Sequence, residues 1–150
     1  MPPVIEVDAA TALTQKIHRH IPLSRSMAFT IDTLEINHII VSAPLEPNIN
    51  IHGTGFAGSI YSTAILTGWA LVTHVMEELE IEAELVVGKA EIRYRAPVTA
   101  KLECETDCEE TSRQAFRESV LDSGKGSLDL VIRVCQKAAE VKASFIAVAR

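Results

Sequence analysis

The chain has 150 residues, 47% of them hydrophobic and 23% charged, which is typical of a soluble globular protein and excludes a disordered tail or a disulfide-built miniprotein. The formal net charge is -6 and no run is rich in lysine or arginine, which argues against nucleic acid as the main partner. The three cysteines form no CxxC pair, so we expect free thiols in a reducing compartment and no metal site.

A helix and a strand are predicted first. The start, MPPVIEVDAA, lacks a basic segment followed by an apolar run, so we expect no signal peptide and a cytoplasmic protein. Asp8 can cap a helix over about Ala9 to His20, which Pro22 would end. From Met27 to Ser42 apolar residues alternate with polar ones, which predicts one strand. Its apolar side would carry Leu34, Ile36, His38 and Ile40.

A long apolar segment follows a loop rich in Pro, Asn and Gly. Phe56 to Met76 contains 21 residues without Asp, Glu, Lys or Arg, which is long enough to span a bilayer. However, hydroxyl residues and glycines interrupt the segment, basic anchors do not flank it, and Glu77 follows directly. We therefore predict a helix over about Phe56 to Leu79 that is buried on nearly all sides in a soluble protein.

Four strands and a short helix are predicted after this helix. In chain order they are strands over Ala90–Ala96 and Ala100–Asp107, a helix over about Glu110 to Asp122, and strands over about Ser127 to Gln136 and Val141 to Val148. Their clean alternation indicates antiparallel strands with one packed and one exposed face. A curved antiparallel sheet wrapped around one long central helix would cover the apolar helix. We expect this α+β architecture, the hotdog fold, as a single domain over residues 1–150, with a generic α+β sandwich as the alternative.

The stretch NINIHGTGFAGS, residues 48–59, lies where the loop meets the apolar helix. The first amides of a helix lack intrahelical partners and lie at the positive end of the helix dipole. Gly53 and Gly55 would allow close approach to the backbone. Such a site can hold a carbonyl oxygen that becomes negative in a transition state, as an oxyanion hole does. The same composition also fits an ordinary turn before a core helix, with asparagines in Asx turns and a surface histidine.

Two blocks of the chain resemble a known family. APLEPNINIHGTGFAGSIYSTAILTGWALV, residues 43–72, and AEIRYRAPVTA, residues 90–100, are similar to the YiiD C-terminal type of thioesterase domain, which has the hotdog fold. The resemblance implies a homodimer or a dimer of dimers that binds an acyl-CoA or another acyl thioester between subunits. The chain has neither a P-loop nor a dinucleotide fingerprint, and we expect that it needs no cofactor.

The resemblance also implies roles for the residues around the start of the helix. Backbone amides there would polarise the thioester carbonyl for attack by an activated water. The candidate catalytic residues lie in the preceding loop and are Asn50, His52, Gly53, Thr54 and Gly55. The candidate substrate-binding residues flank them and are Asn48, Phe56 and Ser59.

The general base is open. Many hotdog thioesterases carry a carboxylate on the first turns of the central helix, but here the first acid on the helix is Glu77, near its far end. His52 is a suitable residue type for a base at neutral pH. Glu46 and Glu91 are alternatives, although Glu91 shares a strand face with arginines. Two other functions remain open, namely a non-catalytic acyl-CoA-binding or interaction module, which the missing carboxylate favours, and a hotdog dehydratase or hydratase.

Overall fold

The computed structural model describes residues 7–150, so most of the segment used to exclude a signal peptide lies outside the described residues. In chain order the elements are α1 Ala9–His20, α2 Pro22–Ser26, β1 Thr30–Glu35, β2 His38–Ala43, α3 Ala57–Glu78, β3 Ala83–Tyr94, β4 Leu102–Asp107, α4 Glu110–Ser123, β5 Lys125–Val134 and β6 Ala139–Ala149. A single turn of 3-10 helix, Glu46–Asn48, lies in the loop before α3.

The six strands form one antiparallel sheet in the order β1-β2-β4-β5-β6-β3. The sheet wraps around α3, which contacts five of the strands, β2 to β6. Every residue from Ala70 to Met76 is buried, so this part of α3 is covered on all sides. The structure is the predicted hotdog fold, a curved antiparallel sheet around one long central helix.

The central helix is a core element, as its sequence predicted. Within residues 7–150, no helix combines the length and the apolar character that crossing a bilayer requires. Gly68 brings the helix close to the sheet, because a Cβ atom at this position would lie 2.5 Å from the Phe145 ring of β6. The long apolar run of α3 is therefore explained by burial under the sheet.

Two other helices begin and end where local signals predicted. The Asp8 carboxylate accepts a hydrogen bond of 2.7 Å from the Thr11 amide and caps α1. Helix α1 ends at His20, and Pro22 is the first residue of α2. At the other end of the chain, α4 stops at Gly124, whose φ of 76° is left-handed.

The predicted single strand over Met27 to Ser42 is wrong. The chain reverses at Ile36 and Asn37, and Glu35 pairs with His38, so the segment forms a hairpin of β1 and β2. The predicted inward side is wrong as well, since the fully buried residues of β2 are Ile39, Val41 and Ala43. Both faces of β2 carry apolar residues, and a two-residue turn leaves the alternation unbroken, so the pattern did not distinguish these arrangements.

His38, which the pattern placed on the apolar side, lies on the outer face of the sheet. Its Nε2 is 3.1 Å from a Glu105 carboxylate oxygen and its Nδ1 contacts Asp107. Arg133 on β5 contacts both carboxylates. This cross-strand cluster ties β2, β4 and β5 together on the side away from α3.

Strand β3 is longer than predicted and forms one edge of the sheet. It begins at Ala83, pairs within residues 7–150 only with β6, and shifts register around Gly88. The predicted strand over Ala90–Ala96 is its second half. Val86 and Val87 are 53% and 37% exposed, which leaves an apolar stretch beside an unpaired strand edge.

Candidate active site

The loop before α3 is folded tightly around Asn50. Ile49 and Gly55 pair across it as an isolated antiparallel bridge. Asn50 Oδ1 accepts hydrogen bonds from the amides of His52 at 2.8 Å and Thr54 at 3.2 Å, and its Nδ2 donates to Thr54 Oγ1 at 2.9 Å. The side-chain hydrogen bonds of Asn50 therefore hold the loop in its conformation.

Asn48 holds the residue before the central helix in place through a set of buried hydrogen bonds. Its side chain is buried, and its Nδ2 donates to the carbonyl oxygens of Met27 at 2.9 Å and Pro44 at 2.8 Å. Its backbone carbonyl oxygen accepts a hydrogen bond of 2.7 Å from the amide of Phe56, the residue directly before α3. These contacts give Asn48 an anchoring position under the loop.

The three amides predicted as oxyanion donors are all engaged inside the protein. Gly53 donates to the Asn50 carbonyl oxygen at 3.1 Å, Thr54 to Asn50 Oδ1, and Gly55 to the Val98 carbonyl oxygen at 2.8 Å. Their hydrogens point at these acceptors. None of the three groups can bind a ligand oxygen without breaking a bond that shapes the loop.

Three other amides, directly downstream, are free. The N–H groups of Ala57, Gly58 and Ser59 have no acceptor within residues 7–150, because the first intrahelical bond runs from Ile60 to Phe56 and no side chain caps the helix. They lie at the positive end of a helix of 22 residues. The free amides are therefore those of Ala57 to Ser59 and not those of Gly53 to Gly55, because the latter precede the helix and are bonded within the loop and to Val98.

Tyr94, at the end of β3, reaches this helix start. Its hydroxyl donates a hydrogen bond of 2.8 Å to the Ala57 carbonyl oxygen. Partial burial, and then the nearby Tyr61, raise the pKa of Tyr94, so the hydroxyl keeps its proton. The strand pattern did not single out Tyr94, although it belongs to the second of the two sequence blocks. The blocks meet in space through this contact and the Gly55–Val98 bond.

The remaining predicted site residues lie on the loop tip and at the start of α3. His52 is exposed, and its ring makes no hydrogen bond within the described part of the chain. Phe56 is 51% exposed, and its ring lies beside Gly58, where a Cβ atom would come within 2.5 Å of it. Ser59 is half-buried on the first turn of α3. The loop tip is apolar, since Ile51 is 95% exposed.

Neither alternative base lies among these groups. Glu46 is exposed in the 3-10 turn, and Glu91 lies on the outer face of β3 opposite Lys142 of β6. Across residues 7–150, no three side chains of His, Cys, Asp or Glu are grouped so that they could hold a metal ion. The loop and the start of α3 together present free amides, a tyrosine hydroxyl, a histidine and exposed apolar side chains.

Residues 10–148 match a family described as "Putative thioesterase (yiiD_Cterm)". The chain belongs to this family. A structure described as a "putative thioesterase" from Shewanella oneidensis is 34% identical, with a TM-score of 0.83 over 93% of this chain and 96% of that one. The family resemblance carried by the two sequence blocks is thereby confirmed.

More distant structures share the fold. A protein of unknown function from Chlorobaculum tepidum TLS has a TM-score of 0.90 at 24% identity, over 94% of both chains. A protein from Pseudomonas aeruginosa described as "Probable Thioesterase" has a TM-score of 0.80 at 19% identity, over 93% of this chain and 96% of that one. These likenesses extend the hotdog assignment over nearly the whole chain.

Proposed function

We propose that this protein hydrolyses acyl thioesters and that acyl-CoA is its substrate. The observation that carries the proposal is the row of three free amides, Ala57 to Ser59, at the start of a buried helix. A thioester carbonyl oxygen bound there would gain negative charge as water adds to its carbon. Amides that already point at this oxygen would stabilise the charge, by about 3 kcal/mol for each donor.

In the proposed reaction a water adds to the thioester carbon and loses a proton to a base. The tetrahedral intermediate then collapses, the carbon–sulfur bond breaks, and the thiolate takes up a proton. The products are a carboxylic acid and a free thiol. We assign the base to His52, because it is the exposed titratable side chain closest along the loop to the free amides, whereas Glu46 lies further back in the 3-10 turn.

The exposed apolar side chains of the loop suit the acyl part of such a substrate. Ile51 and Phe56 expose large apolar surfaces at the two ends of the short loop that carries His52. An acyl chain that covers them would remove apolar surface from water. Asn50 and Asn48 would act indirectly in this scheme, by holding the loop and the helix start in place.

We also propose that the protein works as a two-fold dimer formed through β3. This edge strand has 12 residues and carries Val86 and Val87 on an exposed stretch. An unpaired edge offers backbone groups to a second strand, and a second copy of β3 in antiparallel orientation would continue the sheet. Sedimentation of the wild type and of Val87→Lys tests this proposal, because a charge on the edge should favour the 16.4 kDa monomer.

Thiol release from a panel of acyl-CoA esters tests the hydrolase. A variant with Cys135→Ser gives a low background, because Cys135 is the most accessible of the three free cysteines. We expect turnover that depends on chain length and exceeds the rate without protein. Tight acyl-CoA binding without any thiol release would instead favour the non-catalytic binding module, which the lack of an acid on the early helix also supports.

A further inference from the structure

A cavity lies far from the free amides, between α1, the later half of α3 and the beginning of β3. Its volume is about 310 Å³. Thr73, which lines it, is sixteen residues beyond Ala57, or roughly 24 Å along the helix at the α-helical rise. Within one chain the cavity is therefore separate from the proposed active site.

The lining combines an apolar wall with cationic side chains. The wall is formed by Ile17, Ile21, Trp69, Met76 and Leu85. Among residues 7–150, the cationic or titratable side chains on the lining are Lys16, His20 and Arg150, and none of the lining side chains is a carboxylate. Because the chain as a whole has a net charge of -6, basic side chains on the described lining differ in charge from the average of the chain. This combination is complementary to an amphiphile with one anionic end.

Thr73 adds a polar group to the cavity lining. It is 5% exposed, and its hydroxyl is buried without a hydrogen-bond partner in residues 7–150. Buried hydroxyls are almost always bonded to protein or water, so an unpaired one calls for an explanation. The Trp69 indole cannot serve as its acceptor and already donates to the Leu85 carbonyl oxygen at 3.3 Å.

Lys16 and Thr73 both line the cavity. Lys16 Nζ lies 3.6 Å from a carboxylate oxygen of Glu77, which is one helical turn beyond Thr73 on the same face of α3. His20 follows Lys16 by one turn of α1. A carboxylate placed between these helices would receive the charge of Lys16, for which it would compete with exposed Glu77, and it would accept a hydrogen bond from the buried Thr73 hydroxyl after rotation of that side chain toward the cavity.

We propose that this cavity binds a medium-chain aliphatic carboxylate, with the chain against Trp69 and its apolar neighbours and the carboxylate at Thr73 and Lys16. At about 30 Å³ per atom, the volume of a water molecule in the liquid, the cavity holds on the order of ten non-hydrogen atoms, the size of octanoate. The site does not depend on hydrolysis at the start of α3. The carboxylic acids that the proposed reaction releases belong to the class of ligand proposed for this cavity.

Trp69 makes the proposal directly testable, because it is the only tryptophan of the chain and forms part of the wall. Titration of the full chain with octanoate should give a saturable change in tryptophan emission. Octanol, which has the same chain length but no charge, should bind about tenfold more weakly, and acetate should have no effect. Calorimetry on the same samples measures binding independently of the emission.

Three variants separate this site from the proposed active site. Lys16→Gln should raise the Kd for octanoate about tenfold, the effect of one hydrogen bond to a charged group, and leave octanol unchanged. Thr73→Val keeps the shape and should weaken octanoate severalfold. The matched control Lys101→Gln changes a lysine outside the cavity and should bind like the wild type.

Equal binding of octanoate and octanol, or unchanged octanoate binding in Lys16→Gln, would overturn the proposal. Absence of heat and of emission change would overturn it too, as expected if a second copy of the chain fills the cavity. Thiol release from acyl-CoA in the Thr73→Val variant keeps the two proposals apart. Normal turnover together with lost octanoate binding supports the second site, whereas failed turnover in the wild type leaves the binding result standing.

Discussion

The Tyr94 hydroxyl donates a hydrogen bond to the Ala57 carbonyl oxygen, which belongs to the same peptide group as the Gly58 N–H. The bond to the Ala57 oxygen is 2.8 Å long, and the Gly58 amide is the middle one of the three free donors. A hydrogen bond to a carbonyl oxygen polarises its peptide group and strengthens the N–H as a donor. The end of β3 thereby orients the start of α3.

Tyr94→Phe should lower kcat for acyl-CoA hydrolysis about fivefold and leave KM nearly unchanged, because it removes polarisation of one donor and keeps the ring. Steady-state thiol release measures both constants. Tyr61→Phe is the matched control, since its hydroxyl makes no hydrogen bond within residues 7–150 and the site should keep its rate. If Tyr94→Phe changed kcat and KM no more than Tyr61→Phe does, the Tyr94 hydroxyl would have no role in the reaction.

His52→Gln should reduce kcat on the order of 100-fold if His52 is the base, because the amide can accept a hydrogen bond but cannot take the proton. The acidic limb of the pH–rate profile should also disappear in this variant. Rates of the wild type and the variant over about pH 5 to 8 decide the question. Superimposable profiles would show that His52 is not the general base, and Glu46 would be tested next.

Gly68→Ala should destabilise the fold by about 1 to 3 kcal/mol, the usual cost of overpacking a core. The added Cβ would lie 2.5 Å from the Phe145 ring, and the helix and the sheet cannot separate without losing contacts. Urea unfolding measures the change. Adding Phe145→Leu to this variant should recover part of the lost stability, and a double variant no better than the sum of its parts would contradict the contact as the cause.

One thiol should react quickly in the native protein. Burial raises the pKa of Cys104 to about 12 and that of Cys108 to about 11, so both remain protonated and unreactive near pH 8. Cys135 is only half-buried. Titration with a disulfide reagent should count one fast thiol in the native state and three in denaturant, and Cys135→Ser should remove the fast one.

Stability should fall in acid partly through Asp107. Burial alone would raise the pKa of Asp107, but hydrogen bonds from His38 and Arg133 outweigh it and hold this pKa below the ordinary value. A carboxyl with a lowered folded-state pKa contributes stability above its unfolded pKa of about 3.9, and that contribution is lost as the pH falls through the lower folded value.

Asp107→Asn should therefore be less stable than the wild type at neutral pH, with a gap that narrows below about pH 4. Urea unfolding at several pH values measures the gap. Asp122→Asn, an exposed exchange on α4, is the control and should follow the wild type. A gap that stays constant down to about pH 2 would mean that the cluster on the outer face does not act through ionised Asp107.

The sequence by itself determined the elements whose signals are local. Asp8 marks the start of α1, Gly124 the end of α4, and the charge-free run after Phe56 the buried central helix. Helix periodicity and caps involve residues within a few positions of one another, so they can be read along the chain. The two blocks over residues 43–72 and 90–100 also sufficed to identify the family.

Only the tertiary structure decided which groups of the candidate site are free. The Gly55 amide is occupied by the Val98 carbonyl oxygen, 43 residues further along the chain, and Tyr94 reaches Ala57 from another strand. The hairpin turn at Ile36 was hidden for a related reason, since alternation continues through a two-residue turn. Hydrogen bonds between distant segments depend on how the sheet wraps around the helix, and no local pattern records them.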